Sequence, residues 1–223
     1  WLAVFIPGLA VILIFLHPDF GTTATIAFIV FIQFLFSKTK LIYPALLSIG
    51  GWFIGRYFLE SEFYRAERLR VWSEGICNQG QELLGACFQV HQSRIAISSG
   101  GMFGLGPGTS RARWGSLPSA YSDFISSIIG EEYGFIGYLI FIFILSICII
   151  TFFLIAVREK NEFKKIFISG LGAWILFQSV LNLGASVYLL PITGIVLPFV
   201  SYGGTAMVSI FVALGIMHCR VDE

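Results

Sequence analysis

The stretch GFIGYLIFIFILSICIITFFLIAV, residues 134–157, carries no Asp, Glu, Lys or Arg over 24 positions. At ~1.5 Å per residue a helix of this length rises about 36 Å, enough to cross a hydrocarbon layer about 30 Å thick. Inside that layer every backbone N–H and C=O must be satisfied within the segment, so the spans are read as helices. The surrounding composition agrees: 57% of the 223 residues are hydrophobic and 12% charged, where a soluble domain averages about 25% charged. A net charge of +1 gives no field that would select nucleic acid or an acidic partner.

Working outward from that run, six apolar segments stand at 1–16, 21–36, 41–59, 124–157, 166–190 and 205–217. Several are short and call for tilt or local thinning. The fourth is long enough to hold a membrane-surface turn before its span, with Glu131 and Glu132 near the junction. The expectation is an all-α polytopic membrane protein, one domain over 1–223. The chain opens at Trp1, already hydrophobic and with no charged region ahead of a cleavage site, and is read as a fragment. Cys148 and Cys219 lie in apolar stretches as small buried hydrophobes. Cys77 and Cys87 share a polar loop, where a disulfide is compatible with an oxidising compartment.

Basic residues in short loops favour the cytoplasm. Lys38 and Lys40 follow the second segment, and Arg158, Lys160, Lys164 and Lys165 follow the fourth, two crossings later. Both loops fit one side. Alternation then places His17-Pro18-Asp19, the long loop 60–122 and the 191–204 connection outside, where the polar chemistry collects. The long loop carries Arg56, Tyr64, Arg65, Arg68 and Arg70 around its start. An amphipathic or re-entrant patch follows over 82–99, then a glycine-rich turn, then Arg111, Arg113 and Trp114. Its apolar content argues against disorder.

Asp123 sits where this loop gives way to apolar helix. It can be a functional acid at a membrane junction, or Ser122 or Asp123 can cap the helix. Asp19 has the same two readings, and the derived topology puts both carboxylates on one face. The turn from Gly100 to Gly108 has a G-x-G spacing without a Walker lysine or a preceding strand, so it is neither a P-loop nor a dinucleotide fingerprint. It is a flexible turn, or a place where backbone N–H groups approach phosphate, with Arg111 and Arg113 next to it as a diphosphate fork. His17, His91 and His218 form no metal set. Asn182, Pro191, Gly194 and Pro198 read as helix breaks, and Ser201-Tyr202-Gly203-Gly204 as close packing or a re-entrant element.

Four ordered blocks now carry a resemblance. His17-Pro18-Asp19-Phe20-Gly21-Thr22-Thr23 resembles Q-P-D-[FL]-G-T, and residues Gln92 to Gly104 resemble Q-S-x-x-A-I-G-S-G-G-L-x-G. Residues Gly108 to Ile125 follow G-x-S-x-x-K-x-x-x-L-P-E-A-H-T-D-F-I, continued by Glu131 to Gly137. Asn182-Leu183-Gly184 through Gly204 matches a last block. Together they resemble the SEDS family of cell-wall polymerases, nearer its division branch than its elongation branch. Arg113 stands for the family's Lys, Tyr121 for His, Ser119 for Glu, His17 for Gln and Ser98 for Gly.

The resemblance implies a ten-helix fold, of which these segments are the last six, in the bacterial inner membrane with the active site facing outward. It implies polymerisation of lipid II into β-1,4 glycan with release of undecaprenyl diphosphate. Asp123 is then the general base, and Arg113 with Arg65, Arg68 or Arg111 steadies diphosphate. Asp19, Gln92, Ser93, Gly101, Gly104, Gly106, Ser110 and Glu132 complete the expected substrate-binding set. No cofactor is demanded, and a divalent cation (Mg or Mn) is left open as an aid to the leaving diphosphate. Implied partners are a class B penicillin-binding protein, other division proteins and membrane lipid. The rival readings are a lipid II flippase and a non-catalytic division scaffold.

Overall fold

The computed structural model describes residues 20–40, 42, 44, 72–73 and 86–218. Five α-helices follow in order among these: α1 (Phe20–Phe36), α2 (Ala86–Ser99), α3 (Ile125–Arg158), α4 (Glu162–Ser186) and α5 (Gly204–His218), with a 3₁₀ turn at Ala112–Trp114 before α3. The apolar segments expected at 1–16 and 41–59 lie outside the described residues, apart from positions 42 and 44. Helices α3 and α4 are long and apolar enough to cross a membrane, and α1 and α5 are shorter apolar helices.

Helix α4 begins earlier than its apolar run at 166 because Asn161 caps it: its Oδ1 accepts from the N–H groups of Phe163 (3.0 Å) and Lys164 (3.2 Å). It also stops at Ser186, short of the expected 190. Leu189 and Leu190 both donate to Gly184 O, at 2.8 and 3.1 Å, and Tyr188 takes φ 64°. Pro191 follows.

Helix α4 packs between α1 and α3. Small residues make this possible, since lipid is as apolar as a side chain and close approach must supply the attraction. A methyl on Gly170 would overlap the Gln33 side chain of α1, and one on Gly172 would stand 3.0 Å from Phe152 Cβ of α3. Leu145, Ile149, Phe152 and Ala156 of α3 form a stripe against Ile168, Leu171 and Ile175 of α4. Phe28 stacks on Phe177 at 4.7 Å between ring centres, and Phe36 meets Phe153 at 5.9 Å.

The two ends of the bundle differ. At one, Lys38 Nζ pairs with Glu162 Oε1 at 2.9 Å, joining the two basic loops that topology put on one side. At the other, Ala96, Ala112, Leu117, Ala120, Phe124 and Ile128 form a second buried cluster beneath residues 100–122.

Candidate active site

The glycine turn is docked, not free. Gly134 (φ 68°, ψ −171°) interrupts α3, so Phe135 and Ile136 cannot donate to the carbonyls four residues back. They donate instead to Gly101 O (2.8 Å) and Met102 O (3.2 Å), while the released Glu131 O and Glu132 O accept from Leu105 N–H and Gly106 N–H, both at 3.0 Å. The turn thus replaces the helix's missing hydrogen bonds. A Cβ on Gly134 would overlap Gly104 N, and one on Gly104 would overlap Glu132 O.

The N–H groups of Gly101, Gly104 and Gly106, expected near phosphate, go to Ser98 O (3.3 Å), Gly100 O (2.7 Å) and Glu132 O (3.0 Å), so these three are engaged within the fold. Ser110 is likewise buried, with its Oγ 2.6 Å from Glu131 Oε2 and accepting from Arg113 N–H at 3.2 Å. Ser93 is also removed from the expected substrate contacts. Fully buried, its Oγ lies 2.6 Å from Ser127 Oγ and donates to Ser186 O at 2.6 Å, which ties α2 to α3 and α4.

Glu131, not expected as a site residue, is the pin of this region. Its carboxylate, 2% exposed, accepts from Ser99 Oγ (3.4 Å), Ser110 Oγ (2.6 Å), Arg111 N–H (3.1 Å) and Ala112 N–H (3.2 Å). It therefore fixes the start of the 3₁₀ turn that presents Arg111 and Arg113. An acid at the edge of an apolar run, with serines in the loop that must fold back on it, was the available signal.

Arg113 reaches outward from that turn. Its Nε donates to Tyr121 Oη at 3.4 Å, and its guanidinium lies 5.8 and 5.9 Å from the Trp114 and Tyr121 ring centres. Tyr121 first, and Glu132 more weakly, hold the guanidinium above the ordinary arginine range. Its charge is thus permanent at any working pH. Tyr121, which reads in sequence as a lost proton-handling histidine, is the partner that steadies this arginine. Glu132 is buried with Oε1 lacking a hydrogen bond, a costly arrangement that marks it as more than packing.

Asp123 stands at the head of α3. The capping alternative fails on geometry: the cap position is Phe124, with no side-chain cap bond, and Ser122 Oγ turns back to Ser119 O at 3.3 Å. Asp123 is partly exposed, and its carboxylate has no hydrogen bond or ion pair among the described residues. Its backbone, by contrast, is fixed. Asp123 N–H donates to Ser119 O at 3.0 Å, and Asp123 O accepts from Asn182 Nδ2 at 2.9 Å. Oδ2 lies beside Gly194, 3.8 Å from where a Cβ would stand, and beyond the chain neighbours no other atom of the described residues comes within 4 Å of that point.

Asp19, Arg65 and Arg68 lie outside the described residues. Gly21 packs against the Gly194 loop, since a Cβ there would be 3.1 Å from Ile195 Cδ1 and 3.4 Å from Thr193 O. The start of α1 therefore shares the Asp123 end of the bundle. Gln92 is partly exposed on α2. Among the described residues no three of His, Cys, Asp and Glu converge on a metal site.

With that geometry in hand, comparison with known proteins is decisive. The profile of the FtsW/RodA/SpoVE cell cycle protein family matches residues 1–222. The chain belongs to that family. FtsW/RodA/SpoVE relatives include a probable peptidoglycan glycosyltransferase FtsW of Bacillus subtilis strain 168, 36% identical over 92% of this chain and 52% of its own length. The corresponding Haemophilus influenzae protein is 35% identical over 93% of the chain and 52% of its own length. The chain thus spans about half the length of the curated relatives it matches. Two solved structures share the fold at 22% identity. One is a chain of a peptidoglycan synthase complex that coordinates polymerization and crosslinking, with a TM-score of 0.70 over 97% of this chain and 59% of that one. The other is Thermus thermophilus RodA, at 0.62 over 99% and 58%. The SEDS resemblance and the all-helical membrane fold are both borne out.

Proposed function

We propose that this chain carries the catalytic half of a lipid II polymerase acting in cell division, in the bacterial inner membrane with its site facing outward. The observation that carries the reading is Asp123: a partly exposed carboxylate without a partner among the described residues, on a backbone held from several sides, with its Oδ2 facing Gly194. A group free to take a proton in a fixed place is what a general base requires. The similarity to proteins named as peptidoglycan glycosyltransferases supports the reaction class.

In this reaction the acceptor sugar hydroxyl attacks the anomeric carbon of the lipid-linked donor. The new C–O bond forms as the bond to diphosphate breaks, and the hydroxyl proton passes to the Asp123 carboxylate. Undecaprenyl diphosphate leaves with the bonding electron pair. An α-linked donor giving a β-linked product means inversion in one displacement, so no second nucleophilic carboxylate is needed. Arg113, with Arg111 two positions before it along the turn, stabilises the leaving diphosphate; Glu132 orients this arm. Gln92, Asp19, Arg65 and Arg68 are proposed to complete the cavity. A class B penicillin-binding protein is the proposed partner, consistent with the synthase complex that shares the fold, and further division proteins and membrane lipid surround it.

The test is lipid II polymerisation by the full-length protein with its transpeptidase partner. Asp123→Asn keeps the shape of the side chain and should lower turnover roughly 10²–10⁴-fold, the usual contribution of a positioned base. Near-normal glycan synthesis by folded, partner-bound Asp123→Asn refutes the assignment. Lipid II transport without glycan product in the unaltered complex favours the flippase.

A further inference from the structure

The segment that presents Asp123 has no regular structure of its own, and its carbonyls lie ahead of α3, outside that helix's hydrogen-bond ladder. Three in succession are nonetheless satisfied, and all by the region 182–202. Tyr121 O accepts from Tyr202 N–H at 2.9 Å, Ser122 O from Ser201 Oγ at 2.6 Å, and Asp123 O from Asn182 Nδ2 at 2.9 Å.

Two of these donors also hold the wall opposite the carboxylate. Asn182 Nδ2 gives its second hydrogen to Ile195 O at 2.8 Å, and Ser201 Oγ accepts from Leu197 N–H at 2.7 Å. Each side chain is therefore a bridge between the Asp123 segment and the loop that begins at Gly194. The Asn182 amide cannot turn over without losing both of its bonds. Its Oδ1 is left buried with no hydrogen bond from the described residues, in a residue only 2% exposed. An orphaned acceptor in an apolar helix costs stability that a leucine would not, so packing does not explain the residue.

We infer that Asn182 and Ser201 are positioning residues that fix the Asp123 carboxylate against the Gly194 wall, so that the acceptor hydroxyl meets it in reactive geometry. The inference rests on the polymerase reading of Asp123. It assigns to two residues of the last sequence block a role distinct from helix breaking and close packing.

The experiment uses the full-length protein with its partner and compares Ser201→Ala, Ser201→Thr, Asn182→Asp and Asp123→Asn. Ser201→Ala removes both bonds; Ser201→Thr keeps the hydroxyl; Asn182→Asp keeps the shape but not the two donors. Ser201→Ala and Asn182→Asp are expected to cut kcat roughly 10²-fold, the cost of about 1 Å of misplacement, with KM for lipid II and partner binding within about twofold and Ser201→Thr recovering most of the loss. Wild-type kcat in Ser201→Ala and Asn182→Asp, with Asp123→Asn inactive, overturns the positioning role alone. An active Asp123→Asn overturns the underlying reading instead. Loss that falls on KM or partner binding, or that Ser201→Thr does not relieve, also overturns it. Alkylation of Asp123→Cys in membranes reads placement without activity or purification: its rate should change several-fold on adding Ser201→Ala or Asn182→Asp, and an unchanged rate counts against the inference.

Discussion

Gly194 shows how one missing side chain shapes the site. Its φ of 71° is a region that other residues enter at a cost of roughly 1–2 kcal/mol, and among the described residues beyond its chain neighbours a Cβ there would meet Asp123 Oδ2 alone, at 3.8 Å. Gly194→Ala should therefore fold with a modest loss of thermal stability, yet lower glycan synthesis on the order of tenfold or more by filling the space beside the base. Gly194→Asn separates the causes. Asn tolerates positive φ better but is larger, so a milder defect than alanine's means strain dominates, and a worse one means the space is used. Wild-type kcat/KM in both variants would remove the Gly194 wall from the site. In sequence Gly194 reads only as a helix break, because the neighbour that gives it meaning lies 71 positions away.

At the scale of elements, the interrupted helix α3 and the glycine turn form one unit, with Glu131 as its fastening. Replacing the carboxylate by an amide, Glu131→Gln, sets an NH₂ against donors it cannot accept from. Losing buried bonds of this kind costs about 1–3 kcal/mol locally. Amide hydrogen exchange over residues 110–114 should then accelerate several-fold to about a hundredfold, while the stretch of α3 facing α4 from Leu145 onward stays protected. Exchange unchanged at 110–114 would mean that the carboxylate does not hold the turn. The apolar run of α3 and the acids at its junction were legible from composition. The reciprocal exchange of hydrogen bonds between 101–106 and 131–136 was not, because glycine content signals permissive backbone without saying what approaches it. Of the expected glycine amides, Gly106 is engaged by that approach, and Gly101 and Gly104 by bonds to Ser98 O and Gly100 O close by.

Across the whole molecule, the Lys38–Glu162 pair gathers the two basic loops at one end, and Asp123, Gly194 and the start of α1 gather at the other. Cys87, at the start of α2, is disulfide-bonded, with its partner outside the described residues. This fits an oxidising compartment on the outer side. In intact cells, a membrane-impermeant thiol reagent should label Pro107→Cys, at an exposed turn, and spare Lys160→Cys between α3 and α4. Labelling of Lys160→Cys from outside would invert the orientation, and with it the face proposed for the site.

The sequence by itself determined the membrane class, the helical register of α1, α3 and α5, and the ordered blocks that place the chain in its family. These are local or periodic signals, carried by runs of apolar residues and by short motifs read along one strand of chain. Only the tertiary structure decided which polar residues are left without a protein partner among the described residues and which fasten the fold. Ser93, Ser110 and the glycine turn moved to the second group and Glu131 joined them, while Asn182 and Ser201 emerged as the frame around Asp123. The physical reason is that a hydrogen-bond donor is spent or free according to what lies across from it. Here the partners stand tens of residues apart: 20 between Arg111 and Glu131, 59 between Asp123 and Asn182, and 79 between Ser122 and Ser201.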